Sequence, residues 1–173
     1  MKITLPIVVL TIAVLGCGRF GAGSNAGTNN GAKSNSTSAA AVKAVDMPSL
    51  VGKSPEEVKK IVGIEPRFET PYLAFELPQG TLTVDYMKGR QTTIGFELKA
   101  IQVGSQTATG FDSPDKLGDL VGIDLHGVPV PTPTGGFYFY DNVKASGGTP
   151  LKRVSLHKTT DSFNQISIDL DSL

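Results

Sequence analysis

The chain has one cysteine, no tryptophan and two histidines in 173 residues. A single thiol cannot close an internal disulfide, so no covalent staple holds the fold. His126 and His157, with one cysteine, fall short of the Cys and His set that a structural zinc needs. Neither sign of charge is in excess, with 16 Lys and Arg against 16 Asp and Glu. No nucleophile elbow, P-loop or HExxH motif occurs. The expectation is a chain without catalytic residues, without a cofactor and without a metal.

What is present begins at the first residue. Met1 and Lys2 precede an apolar stretch, Ile3 to Leu15, which is followed by Gly16 and Cys17. A cationic start, a short apolar core and a small residue before the cut mark a secretory signal. The apolar stretch has 13 residues, and a spanning helix needs about 20. Val14-Leu15-Gly16-Cys17 resembles the lipobox of bacterial lipoproteins. That resemblance implies a lipid on the Cys17 sulfur and cleavage before it, giving a signal peptide over 1–16. One acyl chain binds membrane marginally, whereas two or three hold firmly. Gly18, rather than Asp, follows the cysteine. In that family this favours the outer membrane, on its periplasmic side, in a cell that has one.

Residues 17–45 read as the lipidated cysteine and its linker. Gly21 to Ala32 contains nothing larger than Asn. Such a segment cannot bury enough apolar surface to offset its ordering entropy. Its composition predicts a coil with a mean reach of roughly 30 Å. Arg19, Lys33 and Lys43 lie in it and no acid does. Leaving these and Lys2 aside, 12 basic residues face the same 16 acids, a net charge of −4. That mildly acidic balance argues against nucleic acid as a partner, which requires a basic patch.

The remainder carries an internal echo at a spacing of 59 residues. Ser54-Pro55-Glu56-Glu57-Val58-Lys59-Lys60-Ile61-Val62-Gly63-Ile64-Glu65 aligns without gaps on Ser113 to Asp124, with five identities in twelve positions. Each copy predicts a short helix. Ser54 and Ser113 suit the N-cap, Pro55 and Pro114 the first helical position, and Gly63 and Gly122 the C-cap. Val58, Ile61 and Val62 fall on one helical face, as do Leu117, Leu120 and Val121. Gly118 weakens the second helix by about 1 kcal/mol against alanine.

Strand patterns follow each helix. Leu73, Phe75 and Leu77 alternate with other residues; so do Leu82, Val84 and Tyr86, and then Ile94, Phe96 and Leu98. Later come Phe137 to Tyr140, Lys152 to Lys158 with Val154 and Leu156 inward, and Asn164 to Leu170 with Ile166, Ile168 and Leu170 inward. Period two reads as half-buried antiparallel strand. The fold class expected is α+β. Two tandem helix-plus-three-strand repeats, 46–104 and 105–173, would form one antiparallel sheet of six strands with both helices on one face. Gly127 to Gly136, rich in proline, reads as an extended loop.

Leu50 to Gly63, with Leu82 to Arg90 after it, resembles the helix and hairpin of the SmpA/OmlA (BamE-like) outer-membrane lipoproteins. It is also similar to the tandem-repeat β-lactamase inhibitory proteins. These resemblances imply a small α/β unit that works by binding protein, with no catalytic residue to carry over. Met47 to Val58 also resembles the start of a PASTA domain, which implies a binder of cell wall or a small ligand.

Few residues stand out as contacts. In Phe137-Tyr138-Phe139-Tyr140, alternation puts the two Phe on one face and the two Tyr on the other. The Phe pair is assigned to the core. Tyr138 and Tyr140 then face outward, either as partner contacts or simply covering the sheet with hydroxyls in water. Asp161, Asp169 and Asp171 read as a solvated strand end, since they lack the Gly and Glu of a calcium loop. The expected role is a membrane-anchored, non-catalytic module that holds an envelope protein. The alternative is a PASTA-like cell-wall or small-ligand binder.

Overall fold

Serine caps open both helices, α1 (Pro55–Val62) and α2 (Pro114–Val121). Ser54 Oγ accepts from the Glu57 amide at 3.4 Å, and the Glu57 carboxylate accepts from the Ser54 amide at 2.9 Å. This reciprocal cap satisfies two amides that the first turn leaves without partners. Ser113 Oγ accepts from the Asp115 amide at 3.3 Å. Lys116 stands where Glu57 does, so the return bond is missing there. Gly63 and Gly122 end the helices at φ of 73° and 82°, a left-handed conformation that favours glycine.

This computed structural model describes residues 43–103 and 106–170, which belong to one compact unit. The signal segment, Cys17 and the linker through residue 42 lie outside the described residues. So do Gly104, Ser105 and residues 171–173, including Asp171.

The strands are β1 (Tyr72–Glu76), β2 (Gly80–Met87), β3 (Arg90–Leu98), β4 (Ile101–Val103), β5 (Gln106–Ala108), β6 (Ile123–Asp124), β7 (Phe137–Ala145), β8 (Pro150–Thr159) and β9 (Ser162–Asp169). Seven of them form one antiparallel sheet in the order β1-β2-β3-β9-β8-β7-β6. The sequence pattern leads to six. The seventh is β6, in which Ile123 and Asp124 pair with Ala145 and Lys144. A separate ribbon, β4 with β5, occupies the stretch between the halves.

The two long hairpins are built alike. Lys88 and Gly89 turn β2 into β3, while Thr160 and Asp161 turn β8 into β9. Lys88 and Thr160 both adopt positive φ, 51° and 57°, as two-residue hairpin turns require. The register slips once in each, between Asp85 and Tyr86 and between His157 and Lys158. The hairpins meet where β3 pairs with β9, centred on Gly95 opposite Ser167.

Period two sorts the sheet into a dry face and an open one. Leu73, Val84, Ile94, Ile168, Val154 and Tyr140 form one row across six strands. Phe75, Leu82, Phe96, Ile166, Leu156 and Tyr138 form the next. These residues, with Tyr138 half-buried at the margin, share one core cluster with Val58 of α1 and with Leu117, Leu120 and Val121 of α2. Both helices therefore cover this face. Met47 and Leu50, in a 3₁₀ turn ahead of α1, are fully buried with them. Leu170 lies just past the end of β9 and is only half-buried.

One helix departs from its pattern. Leu117, Leu120 and Val121 are buried as expected, but in α1 only Val58 is. Ile61 is 46% exposed. The cover over α2 includes Lys43 to Asp46: the Ala44 amide donates to the Leu120 carbonyl at 2.8 Å, and a side chain at Gly122 would run into Asp46.

Candidate functional site

The face of the sheet away from the helices has a floor of small residues. One row runs Ala74, Thr83, Gly95, Ser167, Ser155 and Phe139 across β1, β2, β3, β9, β8 and β7. Beyond β1, Phe68 bridges to Ala74 and extends the row. Its centre is a shallow depression of about 210 Å³ over Thr83, Gly95, Ser155 and Ser167. Gly95 sits there because a Cβ would come within 2.8 Å of Thr83 Oγ1. The Ser155 and Ser167 hydroxyls are 2.7 Å apart.

The ends of that row are aromatic. Phe68 and Phe139 are 48% and 40% exposed, and Phe137, beside Phe139, is 41% exposed. Phe137 stacks on Phe139 at 6.3 Å between centroids and meets the His157 ring, tilted by 36°, at 4.7 Å. Arg153 lies over Phe139 at 5.8 Å, and Arg67 lies over Phe68 at 5.2 Å. Exposed rings held in place by cations are pre-organised contact surface.

The faces of Phe137 to Tyr140 are thus the reverse of the sequence assignment. Tyr138 and Tyr140 lie in the core rows, and Tyr140 is 3% exposed. The register decides it: Tyr140 pairs with Val154 and Tyr138 with Leu156, both fully buried. Burial pushes the Tyr140 hydroxyl up to about 12, and that hydroxyl has no hydrogen-bond partner among the described residues. Asn142, at φ 58° opposite Lys152, then shifts the alternation, so Val143 and Leu151 return to the core.

Two rows of polar residues flank the floor. On one side lie Tyr72, Asp85, Thr93, Asp169, Arg153 and Asp141. On the other lie Glu76, Thr81, Glu97, Gln165, His157 and Phe137. Burial raises the carboxyls of Asp85 and Asp169; for Asp169, the Ser155 hydroxyl and the Arg153 charge oppose the rise. Asp169, which the sequence places at a solvated strand end, is therefore half withdrawn from water. Asp161 is in the β8–β9 turn, away from it.

The histidines stay apart. His157 packs under Phe137 on the open face, and His126 sits after β6, where its Nε2 is 3.0 Å from Asp119. Asp119 holds the His126 imidazole above its ordinary pKa. Among the described residues, no group of three or more His, Cys, Asp or Glu is placed to hold a metal ion. No helix among them is long and apolar enough to cross a membrane. No family model, curated protein or solved structure matches the chain.

Proposed function

We propose that this protein is a bacterial lipoprotein, anchored through Cys17, that presents a non-catalytic module for binding an envelope protein. The observation that carries the binding reading is the open sheet face with Phe68, Phe137 and Phe139 exposed at its ends. Apolar rings on a surface otherwise lined by small and polar side chains are the composition of a contact patch. The anchor reading rests on Met1 to Cys17 and their likeness to a lipobox. Location at the periplasmic face of the outer membrane follows from Gly18, where the cell has one.

The two halves are inferred to be copies of one unit. The shared helix sequence supports this, and so do the matched two-residue turns and the matched register slips, which lie 72 residues apart. Helix and hairpin offsets differ because the second half carries extra chain both between α2 and β7, where β6 and the proline-rich loop lie, and in the longer β7–β8 hairpin.

The decisive experiment is affinity capture from native membranes with full-length protein. Phe137→Ser with Phe139→Ser is expected to remove the co-purifying partner while the thermal melt stays within a few degrees. Capture that persists in the double variant would sink the binding reading. Cys17→Ala is expected to move the protein to the soluble fraction.

A further inference from the structure

Positive charge on the open face is already committed at the edges. Arg153 Nε donates to Asp141 at 2.8 Å. Lys99 pairs with Glu76, and Arg67 lies 3.7 Å from the same carboxylate. Near the middle the balance is different. Asp85 and Asp169 lie in the row on one side of the floor, and Glu97 lies in the row on the other. None of the three has an ion pair within 4 Å among the described residues; Asp169 takes the Ser155 hydroxyl, at 3.3 Å, and feels the charge of Arg153, which is itself bonded to Asp141.

Two of these acids are partly shielded from water, which is costly for a carboxylate that lacks a counterion. The floor between them has no bulky side chain. Gly95, Ser155 and Ser167 leave room for one extended side chain to descend from above. Phe68 and Phe139 stand at the two ends of the same row, six strand spacings apart, or about 29 Å. They bound a footprint wide enough for a loop or helix of another protein.

We propose that the open face receives a cationic segment of its protein partner, a Lys or Arg side chain reaching the floor over Gly95 and Ser167 between Asp85, Asp169 and Glu97. This rests on the reading of that face as the docking surface. The charge pattern selects the occupant: a cation relieves an acid excess that Arg153, shared with Asp141, offsets only in part, whereas an acidic segment adds to it. Complementarity of this kind governs encounter rate and choice of partner more than total affinity. Binding should therefore weaken as salt is raised.

The test uses the full chain in neutral detergent, with a tetra-arginine peptide as probe and its tetra-citrulline isostere as control. Amide shifts are expected at Gly95, Ser155 and Ser167. The citrulline peptide should bind at least tenfold more weakly. So should the arginine peptide to Asp85→Asn, Asp169→Asn, Glu97→Gln protein, whose melt is checked for folding. Equal binding of the two peptides, or shifts confined to other surfaces, would overturn the proposal. A photo-crosslinker at Thr83 in native membranes separates the two readings. Crosslinks that persist in the neutral triple variant leave the docking face intact and remove the cationic occupant. Absence of any crosslink at Thr83 removes both.

Discussion

The two helices share their caps and their apolar spacing and end in different surroundings. Leu120, Val121 and Ile123 of the second segment are essentially buried, while their counterparts are not: Ile61 is 46% exposed, Val62 is half-buried and Ile64 is 42% exposed. Local sequence sets where each helix begins and stops, through the serine caps, the prolines and the terminal glycines. It does not set what arrives to cover the helix. Over α2 come the Lys43 to Asp46 segment and β6, whereas α1 is followed by exposed chain through Phe68.

The sharpest break in this comparison is truncation at matched positions. Leu120→Ala removes a fully packed side chain and should cost about 2–5 kcal/mol, the range for cavity-forming substitutions. Ile61→Ala should stay within about 0.5 kcal/mol, as exposed positions do. Chemical denaturation of both variants checks it. Equal losses at the two sites would mean that α1 is covered as fully as α2.

A second pair of positions tests why α2 comes so close. Gly118 looks like a weak point in the helix, but a Cβ there would lie 2.5 Å from the Ile123 carbonyl oxygen. The glycine lets α2 approach the chain leading into β6. Lys59 holds the matching place in α1 and reaches Glu69 at 3.0 Å instead. Gly118→Ala should therefore destabilise by about 1–3 kcal/mol, despite the roughly 1 kcal/mol that alanine gains in an open helix. Lys59→Ala should leave the melting midpoint near that of the parent. A stabilised Gly118→Ala protein would show that the approach is not required.

These contrasts mark what the sequence could disclose. Caps and strands were readable because Ser-Pro, terminal Gly and period two are local signals. The dry face of β2, β3, β8 and β9 followed directly from them. The ribbon at Ile101 to Ala108 and the two-residue β6 were not readable, since segments that short carry no period. The side on which Tyr140 lies was hidden too. Phe and Tyr suit either face, and only the pairing with Val154 and, through it, Ile168 decides between them. The floor of the open face was equally invisible, because Thr83, Gly95, Ser167 and Ser155 come from four strands and meet only through register. Its exposed rings, Phe137 and Phe139, were visible as a motif but assigned to the wrong side.

The smallest expected difference between the helices is in their response to pH. At α1, the Ser54 amide and hydroxyl hold the Glu57 carboxyl below its ordinary value. A carboxyl depressed on folding contributes stability above its unfolded pKa, near 4.5, which is lost as pH falls through the lower folded value. At α2, Asp119 first, then Asp115 and Asp124, hold His126 above its ordinary value near 6.5. A histidine raised on folding contributes stability that is full below 6.5 and is lost as pH rises through the higher folded value. The α1 cap should therefore loosen on the acid side and the α2 contact on the neutral-to-alkaline side. Both groups are exposed, so both effects are modest and screened by salt. Amide exchange read separately at Val58 and Leu120, from about pH 2.5 to 8, checks the pair. His126→Gln should flatten only the α2 response, and Glu57→Gln only the α1 response. A His126→Gln protein that kept the full pH dependence at Leu120 would assign that dependence to some other group.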